Sequence, residues 1–158
     1  MSNEASRSDT RKDLSGLGLG PIDQVAYIVE DLDRAIPGYE ALFGPFTVFE
    51  YTMEDCTYRG KRVDLALKMA VNNEGPLEIE LIQPTQGESP WTEQLANHGE
   101  GLHHVRFRVD DVESKLEELS GKGFETLLYK RLRPELAFAY LQTPPSFGGH
   151  VIELLQMP

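Results

Sequence analysis

The chain has 158 residues, 40% of them hydrophobic and 26% charged, which fits one globular domain able to bury about two-thirds of its unfolded surface. Its 15 Lys and Arg stand against 26 Asp and Glu, for a net charge of −11; that sign repels a phosphate backbone and excludes nucleic acid as a partner. The single cysteine, Cys56, can neither close an intramolecular disulfide nor build a zinc cluster, which fits a reducing, cytoplasmic compartment, and without an apolar run near 18 residues no membrane partner is expected.

In chain order, residues 1–20 are polar, with Ser and Gly and no periodic apolar face, and are expected to form a disordered tail. A single domain then spans 21–157. After a first strand around Gln24, a helix is expected from Asp31 through Leu32, Ala35, Tyr39 and Leu42 to Gly44, with Pro37 distorting its early turns. Strands follow at 46–53, 61–71 and 76–83. Ser89 followed by Pro90 predicts a short linking helix over 89–98 that carries Trp91 and Leu95. Val105, Phe107 and Val109 then alternate with His104, Arg106 and Arg108, the period-2 pattern of a half-buried strand. Asp110 is read as the N-cap of the next helix, with Glu113 three residues on, Val112, Leu116 and Leu119 on one face, and Gly121 and Gly123 as the stop. Strands at 124–130, 137–142 and 150–156 complete an α+β chain.

The chain also repeats itself. QVAYIVEDL (24–32) lies over HVRFRVDDV (104–112), matching Val25, Val29 and Asp31 to Val105, Val109 and Asp111; IELIQ (79–83) lies over IELLQ (152–156) with four of five residues identical. Two matches in the same order at nearly the same offset define two copies of one strand–helix–three-strand module, over 22–83 and 102–156.

Alternation along the strands sends Gln24 and His104 to the face opposite their valines, and Glu80 and Glu153 away from their flanking Ile and Leu. If the modules pair about a pseudo-twofold axis, the four meet in one cup and offer three oxygens and one imidazole. Such a set suits a divalent ion in an open site with room for water or substrate. The plainer alternative makes all four ordinary polar strand residues. His98, His103 and His150 lack a counterpart in the repeat; His103 also has the wrong parity, and all three are read as structural or surface residues.

These residues resemble the vicinal oxygen chelate superfamily, which includes glyoxalase I, methylmalonyl-CoA epimerase, extradiol dioxygenases and bleomycin-resistance proteins. The likeness covers 21–157. IDQVAYIVEDLDRA, IELIQP, GLHHVRFRVDD and GGHVIELLQ are most similar to the methylmalonyl-CoA epimerase-like branch. The resemblance implies two tandem βαβββ modules forming a curved mixed sheet around a central metal cleft. It also implies one divalent ion (Zn, Co, Ni, Mn or Mg) on Gln24, Glu80, His104 and Glu153, a small-molecule substrate and a homodimer. The ligand order Gln, Glu, His, Glu resembles eukaryotic glyoxalase I, whereas the epimerases usually begin with His. They also tend to carry an acidic residue two places before a hairpin Gly, where this chain has Tyr58, Arg59, Gly60; a tyrosine, with a pKa near 10, is a poor resting base.

The activity so implied is proton transfer next to a carbonyl through a metal-stabilised enolate, as in an isomerase, epimerase or lyase. An acyl-CoA and, as for lactoylglutathione lyase, a hemithioacetal are the candidate substrates. Glu153 is the first choice of base and Glu80 the second, with Tyr58 as proton donor, substrate-orienting group or hairpin packing residue. Arg106 and Arg108 share the parity of His104, so they either face an anionic substrate or pair with the abundant acidic residues. A non-catalytic binding protein of the bleomycin-resistance type is the second class of reading; it usually lacks an intact ligand set. Extradiol oxygenation ranks last, because it normally uses two His and one carboxylate on iron.

Overall fold

The computed structural model describes residues 17–158, so most of the segment expected to be a disordered tail lies outside it. Of that segment, Leu17 and Leu19 pack on a core cluster and Lys115 Nζ donates to the Leu17 carbonyl at 2.6 Å.

The elements run β1 (Ile22–Ile28), α1 (Leu32–Phe43), β2 (Thr47–Tyr58), β3 (Lys61–Asn72), β4 (Glu78–Gln86), α2 (Pro90–Asn97), β5 (Gly101–Arg108), α3 (Val112–Ser120), β6 (Glu125–Arg133), β7 (Leu136–Gln142), a 3₁₀ turn (Pro145–Phe147) and β8 (Val151–Gln156). The two expected modules are therefore present, each with one helix and four strands. Both repeat the same pairing: β1 lies parallel to β4 and β5 parallel to β8, and the remaining contacts within each module are antiparallel.

The strands close in the order β1-β4-β3-β2-β6-β7-β8-β5. At the broad seam, antiparallel β1 and β5 pair Val25 with Val105. Those two valines are equivalent in the repeat, so the pseudo-twofold axis passes between them. The opposite seam is narrow: β2 meets β6 only through Thr57 with Tyr129 and Tyr58 with Leu128. The curved mixed sheet is thus a cup joined firmly on one side and lightly on the other.

Apolar side chains fill both faces of this sheet. Inside lie Ile28, Leu65, Ile82, Leu128, Phe138 and Tyr140, with Trp91 of α2 among them. Outside, α1 covers Val29, Ala70 and Leu81, and α3 covers Ala139, Leu141, Ile152 and Leu154. Trp91 is 2% exposed and Ser89 caps α2 with Pro90 in its first turn, as its sequence predicted; the structure adds a reciprocal box with Thr92.

Three local expectations are corrected. The N-cap of α3 is Asp111, not Asp110: its carboxylate accepts from Ser114 N at 3.0 Å, as Asp31 accepts from Arg34 N at 3.1 Å in α1. The repeat already aligned these two aspartates. Leu42 does not join the buried face of α1, being 74% exposed, while Phe43 meets Tyr27 and Tyr39 instead. The helix runs through Pro37. Strand β2 continues past residue 53 to Tyr58, because an irregularity between Met53 and Cys56, with Asp55 at φ 58°, lets it bend and go on pairing with β3. It ends in the expected hairpin, whose loop residues Arg59 and Gly60 both have positive φ (48° and 79°), as a two-residue type I′ turn requires.

The last residue of the repeated IELIQ and IELLQ motif also acquires a role. Gln83 Oε1 accepts from Leu32 N at 2.8 Å and Gln156 Oε1 from Val112 N at 3.0 Å. Each glutamine thus ties the last inner strand of its module to the first helical N–H, one of the donors a helix leaves unpaired. Both helix residues are fully buried. Gln83→Leu or Gln156→Leu should therefore each lower stability by about 1–3 kcal/mol, the cost of an unsatisfied buried donor, measured by urea denaturation; an unchanged midpoint would show that water replaces the amide.

Candidate metal centre

Gln24, Glu80, His104 and Glu153 stand on four neighbouring strands, β4-β1-β5-β8. Parallel register sets Glu80 opposite Ala26 and Glu153 opposite Arg106, and the β1/β5 seam sets His104 opposite Ala26. All four side chains point to the inner face. They are almost wholly shielded: Gln24 is 0% exposed, His104 2%, and Glu80 and Glu153 6% each.

Their ends meet. His104 Nε2 lies 3.1 Å from Gln24 Oε1 and 3.0 Å from Glu153 Oε2, and Gln24 Nε2 lies 3.1 Å from Glu80 Oε2. Atoms bound to one ion at about 2.1 Å and at right angles are about 3.0 Å apart, so the two separations from His104 Nε2 fit adjacent ligands of an octahedral or similar site, while the Gln24 Nε2–Glu80 Oε2 contact is an amide hydrogen bond that holds Glu80 beside them. Despite its proximity to the imidazole, Glu153 Oε2 is buried without a hydrogen bond. An orphaned carboxylate oxygen beside a neutral imidazole and an amide oxygen is a donor set suited to a divalent cation. Counting His, Cys, Asp and Glu alone, no group of three or more among the described residues forms a metal cluster. The amide of Gln24 is what links Glu80 to the histidine.

Electrostatics point the same way. Burial, then the facing Glu153 and Glu78 charges, push the Glu80 carboxyl well above the usual range. Burial raises Glu153 similarly, against the opposing pull of Arg106. Burial likewise pushes His104 down to about 3, with Arg106 adding to the effect. The imidazole is therefore in the neutral form that binds metals, while burial outweighs the pull of Arg106 on both carboxyls.

Around this cluster lies a ring of charges that parity alone leaves partly hidden. Glu78 is on the same face as Glu80, two residues away, and accepts from Gln24 Nε2 at 2.6 Å; the alternation of Glu78, Ile79 and Glu80 carries that signal. Asp23 binds Arg106 through Nε at 2.9 Å and Arg108 through Nε at 2.7 Å, and Arg106 also lies 3.6 Å from Glu78. Burial works to raise Asp23, but the two guanidiniums outweigh it and hold the carboxyl below its usual range. Both arginines thus make the acidic pairings, Arg106 deep in the wall and Arg108 half exposed.

Tyr58 donates to Glu93 of α2, and Arg59 braces the same carboxylate at 2.6 Å. Its described hydrogen bonds do not reach the four-residue cluster. Burial, followed by the Glu93 bond, raises the phenol, so it stays protonated at neutral pH.

His103 departs from the sequence expectation most. It is 5% exposed and its Nδ1 lies 2.8 Å from His104 Nδ1. Along the β1/β5 seam Ala26 faces His104 while Tyr27 faces Leu102; His103 is the extra residue of a bulge, which breaks the alternation by which it had been assigned the wrong side. It also forms part of the wall of a cleft of about 330 Å³ between α2, the start of β5 and the 142–151 loop.

Two modules joined at equivalent strands, with four metal-type ligands on their inner faces, define the chain's class. Residues 23–140 match the model of the Glyoxalase/Bleomycin resistance protein/Dioxygenase superfamily, and the chain belongs to that superfamily. Among curated proteins it is similar to YqjC of Bacillus subtilis, an uncharacterised protein, at 28% identity over 106 residues, covering 67% of this chain and 69% of that one. Among solved structures it is similar to Streptomyces coelicolor methylmalonyl-CoA epimerase in complex with 2-nitronate-propionyl-CoA. That match has 26% identity and a TM-score of 0.60, covering 88% of this chain and 98% of the other. A methylmalonyl-CoA epimerase in complex with methylmalonyl-CoA and ammonium matches at 27% identity and a TM-score of 0.56, covering 89% and 99%. None of the described helices is long and apolar enough to cross a membrane.

Proposed function

We propose that this protein catalyses proton transfer at the carbon next to the carbonyl of an acyl-CoA, as an epimerase or isomerase, with one divalent ion held by Gln24, Glu80, His104 and Glu153. The observation that carries the reading is the pair of buried carboxylates, Glu80 and Glu153, at equivalent places in the two modules. Epimerisation needs one group to remove a proton from one face and another to return it to the opposite face, and a pseudo-twofold pair is built for that. The epimerase neighbours with bound acyl-CoA ligands favour this substrate class.

A divalent ion at the site supplies Lewis acidity to substrate oxygens, making the neighbouring C–H more acidic. The chain's own residues do the rest. His104 and Gln24 offer neutral donors, so the charge of the site lies on the glutamates. Glu153, ionised and with one oxygen free of hydrogen bonds, would take the proton from one face, and Glu80, whose burial favours the protonated form, would give its own proton to the other. The inner apolar wall of Phe138 and Tyr140 limits water around the reacting carbon. Arg106, buried in the wall, and the half-exposed Arg108 add positive potential that Asp23 partly offsets, and Tyr58 orients groups that enter beside α2.

Solvent-exchange NMR in deuterated buffer tests this with 2-branched acyl-CoA esters and hemithioacetals side by side. Exchange at the α-carbon of an acyl-CoA is the expected result. Exchange confined to the hemithioacetals assigns the lactoylglutathione lyase-type reaction that the Gln, Glu, His, Glu order favours. No exchange, with ligand binding by metal-free protein, assigns the non-catalytic binding class.

We also propose a cytoplasmic homodimer. Strand β2 leaves Thr47–Thr52 exposed, including Val48, Phe49 and Tyr51, and an exposed strand with apolar side chains favours association. Sedimentation at micromolar concentration should show twice the monomer mass; a monomer alone removes this proposal.

A further inference from the structure

The two modules agree in placing polar residues on the inner face, but they differ beside one of them. Across the parallel β1/β4 pairing Gln24 stands opposite Glu78, whereas across the equivalent β5/β8 pairing His104 stands opposite Val151. The offset that sets Glu80 on Glu153 also sets Glu78 on Val151. The module whose first inner residue is an amide thus carries a carboxylate beside it, and the module whose first inner residue is an imidazole carries an apolar side chain.

An amide needs such a neighbour because its two ends are alike in shape and opposite in chemistry. The carbonyl oxygen accepts and can bind a cation, while the NH₂ group only donates. In Gln24, which is wholly buried, Nε2 donates to Glu78 Oε1 at 2.6 Å and to Glu80 Oε2 at 3.1 Å. Oε1 is thereby turned to His104 Nε2 at 3.1 Å, the atom that also lies 3.0 Å from Glu153 Oε2. The amide oxygen stands there whichever ring nitrogen of His104 carries the proton.

Two features make Glu78 the group that holds the amide. Its Oε1 also lies 3.6 Å from Arg106 Nη1, and a guanidinium only donates, so this oxygen faces N–H groups and the amide end that meets it is the NH₂. Arg106 is itself clasped by Asp23 at 2.9 and 3.2 Å, which anchors the Glu78 carboxylate to the wall. Glu80, the other acceptor, belongs to the proposed ligand set. Glu78 stands outside that set and can keep the amide in place while Glu80 serves an ion.

We infer that Glu78 is a positioning residue: anchored by Arg106, it takes one N–H of Gln24 and so fixes the amide with Oε1 toward His104, the sense in which a divalent ion can use it. This role rests on the proposed metal centre, on which Glu78 acts only through Gln24.

Calorimetric titration of the full chain with Co²⁺ tests it. Glu78→Leu should bind about 10- to 100-fold more weakly, the usual cost of losing a ligand's orienting partner. Glu78→Gln, which removes the charge but keeps a carbonyl oxygen in the place of Oε1, should recover most of that loss. In a Gln24→Ala background Glu78→Leu should cost nothing further, since the amide it acts through is gone. Equal weakening by Glu78→Gln and Glu78→Leu, which would make negative charge the whole effect, overturns the inference, as does an undiminished loss in the Gln24→Ala background. A second readout needs no ion. In the ¹H–¹⁵N spectrum of the metal-free protein, a Gln24 side-chain amide proton should be shifted downfield by its bond to Glu78, stay so in Glu78→Gln and return to the ordinary position in Glu78→Leu. If the wild type binds no ion yet the spectra follow this pattern, the metal centre fails and the hold of Glu78 on Gln24 stands; a wild-type amide with neither proton shifted overturns it. Should Glu78→Leu not fold, Glu78→Gln decides alone, by keeping or losing the shift and the affinity.

Discussion

Glu153→Gln is expected to slow α-hydrogen exchange by about 10²- to 10⁴-fold, the usual contribution of a positioned general base, while leaving the fold intact. The substitution keeps size and shape but removes the charge that accepts the proton. Glu153 is singled out from Glu80 by its surroundings: Glu80 Oε2 accepts from Gln24, whereas Glu153 Oε2 has no hydrogen bond. Glu153 would have to leave the ion to act as a base, and no hydrogen bond holds its Oε2 back. For a two-base epimerisation, Glu80→Gln should separate the two faces, with one substrate epimer still exchanging and interconversion stopped. Isotope washout measured from each epimer reads this directly. Equal losses from both epimers in both variants would mean that the glutamates act only through the metal and that the bases lie elsewhere.

Removing the metal should lower the melting temperature, and Glu153→Gln should then raise it. With an ion present at about 100 times its dissociation constant, binding contributes about 2.7 kcal/mol, or roughly 5–10 °C for a domain of this size. Without the ion, the two carboxylates are buried together and both are raised above the ordinary carboxylate range. A raised carboxyl stabilises the folded state relative to its ionised form only below the unfolded value of about 4.3, and that advantage is lost as pH rises through the folded pKa. The metal-free protein should therefore gain stability from Glu153→Gln at pH 8, by about 1–3 kcal/mol for relief of a buried unpaired charge, and gain little at pH 4.5. His103 and His104 act in the opposite direction. Burial, aided by His104 at His103 and by Arg106 at His104, holds both near 3, so their contribution is full above about 6.5 and fades as pH falls toward 3. Scanning calorimetry with and without chelator, at both pH values, checks the signs. A metal-free Glu153→Gln variant less stable than wild type at pH 8 would show that this carboxylate is compensated by a partner.

A great deal of this architecture follows from local pattern. An extended backbone alternates its side chains whatever it pairs with, so Gln24, Glu80, His104 and Glu153 could be assigned to one face before any pairing was known. The repeat then required equivalent places for them, and the structure sets equivalent Val25 and Val105 against each other on the axis. Helix starts were legible to within one residue, because caps act over three or four positions; the error at Asp110 came from setting spacing to Glu113 above alignment with Asp31.

What alternation cannot convey is register. His103 joins the site through a bulge that exists only because β5 must follow β1 with one residue to spare, and Asp23 sits at a second irregularity on the same seam. Neither shift is visible along a single strand. The pairing of Arg106 and Arg108 with Asp23 and the reach of Gln83 and Gln156 to the helix starts join residues from separate elements. The sequence by itself determined the two modules, the inner face and the four candidate ligands on it, because these follow from the geometry of an extended chain and from the repeat. Only the tertiary structure decided which groups orient those ligands and which charges they answer, since hydrogen bonds and ion pairs depend on ångström-scale approach between segments far apart in the chain.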